Sequence, residues 1–196
     1  MTQLANHDAA SARRIDRLCE LTSIGAGHAA GAFAALLGRA WEMRVPRARV
    51  LEAGELDAPL AQLGGADASE CSGVIFEVQG GLGGVLGLLW PPASRDALLN
   101  ALLGENASIE AQAQSALQEV ANIAASHFAT ALGQMLGESV LISVPQLETS
   151  GAPAAFIAQV AANASQRPVL RIEIALRDRA TGHEVLLAYA PSELGA

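Results

Sequence analysis

ELTSIGAGHAAGAFAALLGRAWEMRVP (Glu20–Pro46) and EVANIAASHFATALGQMLGESVLISVP (Glu119–Pro145) are one stretch written twice. At an offset of 99 the register holds without a gap for 27 residues. Glu20/Glu119, Ile24/Ile123, Ala26/Ala125, His28/His127, Ala30/Ala129, Ala32/Ala131, Leu37/Leu136, Gly38/Gly137, Val45/Val144 and Pro46/Pro145 are identical. Two alanine-rich helices share some small residues by chance. They do not readily share a glutamate, a histidine, a terminal glycine and a Val-Pro pair in one register.

Working outward, each copy reads as a long helix ended by glycine, Gly38 or Gly137, in the manner of a left-handed cap. A strand follows at Trp41–Val45 and at Val140–Val144, each stopped by proline. Irregular connections are expected next, ELDAPLAQLGGADASE (Glu55–Glu70) and PQLETSGAPAAFIAQVAANASQ (Pro145–Gln166). A hairpin closes each half. GVIFEVQ and GVLGLLW flank the turn GGLG, and VLRIEIALRDRATGHEVLLAYA turns at Thr181-Gly182. A short amphipathic helix over 93–104, with Ser94 as its N-cap, links halves of approximately 12–91 and 107–192. A helix and three strands bury little alone, and two copies can share one core. The reading is a single α/β domain over 1–196 with an internal pseudo-two-fold.

Composition narrows the function. The chain has 196 residues, 51% of them hydrophobic and 16% charged, which is globular rather than disordered. A net charge of −8 argues against a nucleic-acid partner. The twelve basic residues are scattered, apart from a local run at Arg39, Arg44, Arg47 and Arg49. Cys19 and Cys71 make neither a disulfide framework nor a zinc spacing, and free thiols are expected. The N-terminal residues lack the apolar segment of a secretory signal, and Ile24–Leu37 is too short and too interrupted to span a bilayer. A cytoplasmic protein without a membrane role is expected.

The repeated helix carries a polar stripe. Ser115, Glu119 and Asn122 fall within about 60° of one another at helical period. Leu117, Val120, Ala121, Ala124, Phe128, Ala131 and Met135 gather opposite. The first copy places Asp16, Glu20 and Ser23 outward, with Leu18, Leu21 and Phe33 inward. Such a stripe also suits an ordinary solvated face, and Ser115 with Gln118 fits a capping box. Asparagine, however, is a poor helix-interior residue, and the stripe recurs in register.

The pattern Asp/Ser-x-x-x-Glu-x-x-Asn, on a helix repeated about one hundred residues later, resembles the CheC/CheX/FliY family, CheC most of all. These are phosphatases of the phosphorylated chemotaxis response regulator CheY. The resemblance implies a CheC-like α/β fold, two long antiparallel helices packed on a mixed sheet built from both halves. It implies that Asn122 orients the water attacking an aspartyl phosphate and that Glu119 docks the receiver domain. Ser115, Asp16 and Glu20 match binding positions. Ser23 departs at the third position, leaving the first site degenerate. No metal ligand or cofactor is implied on this chain, because the receiver carries its own Mg²⁺. CheD is a further partner the family suggests, and a monomer is expected. A non-catalytic receiver-binding or adaptor module of the same fold, flagellar-switch-like or CheD-binding, is the alternative.

Other signals point elsewhere. The glycine run Gly80–Gly87 leads from strand to strand and misses the phosphate-loop spacing. His28 and His127 sit eight residues beyond each glutamate, and a paired structural role near the symmetry axis is expected. No nucleophile-elbow motif is present.

Overall fold

A computed structural model describes residues 2–52, 54–60, 63, 65–164 and 168–192, with side chains from Ala12 onward except that of Glu105. Parts of the two expected connections, Ala61, Gln62 and Gly64 in the first and Ser165–Gln166 in the second, lie outside the described residues. The chain runs α1 (Thr2–Leu37), β1 (Trp41–Met43), β2 (Arg47–Leu51), β3 (Ser72–Gln79), β4 (Gly84–Trp90), α2 (Pro92–Leu103), a 3₁₀ turn at Gly104–Ser108, and α3 (Glu110–Leu136). It continues through β5 (Leu141–Ile142), β6 (Gln146–Glu148), α4 (Ala152–Asn163), β7 (Val169–Asp178) and β8 (Glu184–Ala190). No helix among the described residues is long and apolar enough to cross a membrane.

One eight-stranded sheet takes the order β1-β7-β8-β4-β3-β5, with β2 also on β7 and β6 also on β3. The α/β architecture is the expected one, but every pairing is antiparallel rather than mixed. Hairpins β3–β4 and β7–β8 meet at the centre, where Leu88 faces Leu187. Each hairpin is flanked by the short strands of the other half. Exchanging the halves therefore leaves the strand order unchanged.

The two edges share a further detail. Along β1 the register gives Met43 opposite Leu176, and the Arg44 N–H donates to the Ala175 carbonyl. On β2, Arg47 lies opposite Glu173, so one extra residue has entered at Val45–Pro46. The other edge repeats this: Ile142 faces Val78, Ser143 N–H donates to Glu77, and Gln146 faces Ile75. The repeated Val-Pro pair thus marks a bulge in each half, where proline's missing N–H costs no ladder bond. Val45 and Val144 are 83% and 82% exposed.

The sheet is covered on both faces. Val74, Phe76, Leu86, Leu88, Ile172, Ile174 and Leu187 pack under α1, α2 and α3. The alternate residues, including Ile75, Val85, Leu89, Leu186 and Ala188, pack under α4 with Leu60 and Leu63. This is the period-two alternation of a strand buried on both sides. α1 and α3 meet closely: a Cβ on Gly25 would lie 2.7 Å from the Phe128 ring. One repeat on, position 124 is alanine, and its counterpart partner is Ala29 rather than phenylalanine. Glycine at 25 makes room for the ring.

Several expectations need correction. The connection at Pro145–Gln166 holds β6 and the helix α4, anchored by Phe156 and Val160 and entered through Gly151 with proline at its start. Each half has four strands rather than three, because the chain resumes pairing past each bulge. Expected strands ending at Val45 and Val144 stop at Met43 and Ile142. Ser94 is no cap: α2 begins at Pro92, and the buried Ser94 hydroxyl accepts the Glu184 N–H at 3.1 Å, tying α2 to β8. The helix-ending glycines are as expected, with φ of 61° at Gly38 and 69° at Gly137. Both cysteines are free, Cys71 buried and Cys19 half-buried.

Candidate functional site

Helix α3 starts at Glu110, whose carboxylate accepts from Gln114 Nε2 at 2.7 Å. Ser115 is therefore inside the helix, and the capping-box explanation of it fails. Leu117, Val120, Ala121, Ala124, Phe128 and Ala131 are buried against α1 and the sheet, and Met135 packs at the core margin. That anchors the rotation of the helix and turns the polar stripe outward: Ser115 and Glu119 are exposed and Asn122 is half-buried. α1 is fixed in the same way, with Leu18 and Phe33 buried and Leu21 half-buried. Asp16 and Glu20 are exposed and Ser23 is half-buried.

The two third positions are used differently. The Ser23 hydroxyl donates to the Cys19 carbonyl, one turn back, at 2.5 Å. Serine in a helix interior commonly bonds its own backbone in this way. Among the described residues, the Glu119 carboxylate and the Asn122 carboxamide have no hydrogen bond or ion pair within the chain. Each is free to engage a docked molecule. Asn122 retains one acceptor oxygen and two donors on a neutral group. The neighbouring Cys19 thiol is held above its usual pKa, by burial and by the Asp16 charge, so it remains a neutral thiol at ordinary pH.

A shallow apolar groove runs between α1 and α3, lined by Ile24, Gly27, His28, Gly31, Ala32, Ala35, Leu36, Ile123 and His127. Ile24 and Ile123 directly follow the third position of each stripe, and Ile24 is 42% exposed. Sequence reading paired these isoleucines across the repeat without giving them a role; the signal was an apolar residue next to each polar stripe. The two histidines do come together on this groove, but both are exposed and neither bonds among the described residues. They do not brace the helix pair. No group of three or more metal-ligating side chains is found among the described residues.

Comparison with known proteins shows what the chain is similar to. The CheC-like family profile matches residues 113–148, a span containing Ser115, Glu119 and Asn122. The chain is 33% identical over 140 residues to the CheY-P phosphatase CheC of Bacillus subtilis (strain 168), covering 68% of this chain and 65% of that one. These matches show that the chain is similar to CheC-like proteins over the region that carries the stripe. The solved structures agree on the fold. Thermotoga maritima FliY superposes with a TM-score of 0.65 at 20% identity, covering 93% of this chain and 91% of that one. A chain of the CheX-CheY-BeF3-Mg²⁺ complex from Borrelia burgdorferi gives 0.58 at 16%, covering 89% and 97%. The FliM middle domain of H. pylori gives 0.64 at 12%, covering 91% and 92%. The chain thus spans less than two thirds of the length of the curated relative it matches, 65%, and nearly the whole of the solved folds.

Proposed function

We propose that this chain hydrolyses the aspartyl phosphate of a CheY-like receiver domain, with Asn122 orienting the attacking water and Glu119 fixing the docked receiver. The unengaged Asn122 carboxamide on the outward face of α3 carries the reading. Hydrolysis needs a water in line behind the phosphorus, and positioning with charge stabilisation supplies most of the catalysis. A carboxamide can accept a hydrogen bond from that water and adds no negative charge beside the phosphoryl group. One helical turn separates Glu119 from Asn122, so both reach one docked surface, Glu119 toward a basic group of the receiver. The Mg²⁺ of the reaction belongs to the receiver. The chain carries a net −8, and an acidic phosphorylation pocket gains no long-range attraction from it, so short-range pairing sets the docking. The groove beside Ile24 and Ile123 offers an apolar contact for the same partner.

One observation favours a binding-only role for the first helix. Ser23 lacks the carboxamide and its proton is spent on Cys19. Asp16 and Glu20 then hold a receiver without hydrolysing it. Measuring the decay of a phosphorylated receiver with substoichiometric chain separates the two roles. Many turnovers per chain support the phosphatase. Binding without acceleration supports a receiver-binding or CheD-binding adaptor.

A further inference from the structure

The arginines grouped in the sequence separate in the structure. Arg39 pairs with Asp178 at 3.0 Å and Arg44 with Glu184 at 3.5 Å. Arg47 and Arg49 are exposed and form no ion pair among the described residues. Both stand on β2, which among the described residues pairs with β7 alone and has four of its five residues exposed. Strand alternation puts them on one face and Ala48 and Val50 on the other. Arg171 lies opposite Arg49, and Glu173 opposite Arg47, but that carboxylate is taken by the Arg171 guanidinium at 3.0 Å, both being 1% exposed. Among the described residues, two exposed cations thus stand on this strand outside any ion pair, on a chain of net −8.

Charge on an edge strand ordinarily deters stray pairing. That need applies to both edges of this sheet. Yet one repeat further on, the matching positions are Gln146 and Glu148 on β6, with no cation. The arginines are particular to the β2 edge.

We propose that the outer edge of β2 docks an extended, acidic segment of a partner protein as an added strand. Its alternate carboxylates lie over Arg47 and Arg49, and its intervening small apolar residues lie over Ala48 and Val50. Main-chain hydrogen bonds supply affinity, and the charge-assisted contacts set register. A second copy of this chain is the poorer occupant, because pairing two β2 edges brings arginine against arginine. The proposal stands apart from the phosphatase reading, which concerns the α1–α3 face.

The test uses the whole chain and a capped, fluorescein-labelled peptide of alternating glutamate and valine, with alternating lysine and valine as control. Binding is read by anisotropy and mapped by amide chemical shifts. The glutamate peptide is expected to bind and the lysine peptide to fail, with shifts on β2 and β7. Arg47→Gln/Arg49→Gln should weaken binding at least tenfold while leaving the thermal unfolding curve in place. N-methylating the amides that face β2 should abolish binding, as a charge-only contact would not require. Equal binding of both peptides, no binding at all, or shifts confined to α1 and α3 would overturn the proposal. A dimer in sedimentation that the glutamate peptide does not compete away would also overturn it, assigning the edge to a second copy.

Discussion

Asn122 and Ser23 occupy the same place in two copies of one helix, and what each side chain bonds to sets them apart. The asparagine is unengaged, whereas the serine is satisfied by its own backbone. If the departure at position 23 is what silences the first site, Ser23→Asn should restore it. In an Asn122→Ala background, Ser23→Asn is expected to raise the receiver's dephosphorylation rate above that of Asn122→Ala alone; no gain means the first helix lacks more than its asparagine. A second residue sets acid stability. Burial raises the Asp178 pKa, but this is outweighed by hydrogen bonds from the Ala180 N–H and the Thr181 hydroxyl and by the Arg39 charge, so the carboxyl sits below its usual value. A depressed folded-state pKa contributes stability above the unfolded value and loses it as pH falls through the folded one. Asp178→Asn should therefore cost about 1.5–3 kcal/mol at neutral pH. The deficit against wild type should shrink below about pH 4. Urea unfolding at several pH values reads it, and a deficit constant with pH would contradict it.

At the scale of elements, the helix pair is what holds the two stripes on one surface, and it depends on the approach of Gly25 to Phe128. Gly25→Ala gains helix propensity but drives a methyl into a fully buried ring. The overpacking should win, for a net loss of about 1–3 kcal/mol. Its signature is a lower urea midpoint at unchanged m. An unchanged or raised midpoint would show that the helices can separate without loss. The elements also show where the sequence was readable. The two long helices and the linking helix, both hairpins, the glycine stops and the outward stripe were legible because helical and strand periods leave distinct marks. The helix α4 was not, because alanine and glycine around Gly151 read as loop and its two anchors, Phe156 and Val160, are too few to set a period. Strands β2 and β6 were hidden by the prolines, which read as stops but mark bulges. Ser94 carries a residue type suited to a cap, yet its hydroxyl is claimed by Glu184 across the fold, a tertiary contact no local pattern reports.

For the whole molecule, the repeat builds one sheet from two interlocked halves and sets two similar helices against each other, with only one retaining the full stripe. The CheC-like fold was legible from the stripe and the offset together, whereas neither alone was enough: a Ser/Glu/Asn stripe suits any solvated face, and a repeat names no chemistry. What the sequence could not reveal was which of the two third-position side chains is free, since that is a matter of hydrogen bonds. On this account turnover rests on one site rather than being shared between two. The measurement that tests it most directly is the time-resolved decay of a phosphorylated CheY-like receiver with substoichiometric wild-type chain and with Asn122→Ala. The account predicts a loss of assisted rate on the order of 10²-fold, as when one preorganised hydrogen-bonding group is removed. A rate that is unchanged, or that falls only by half, would contradict it.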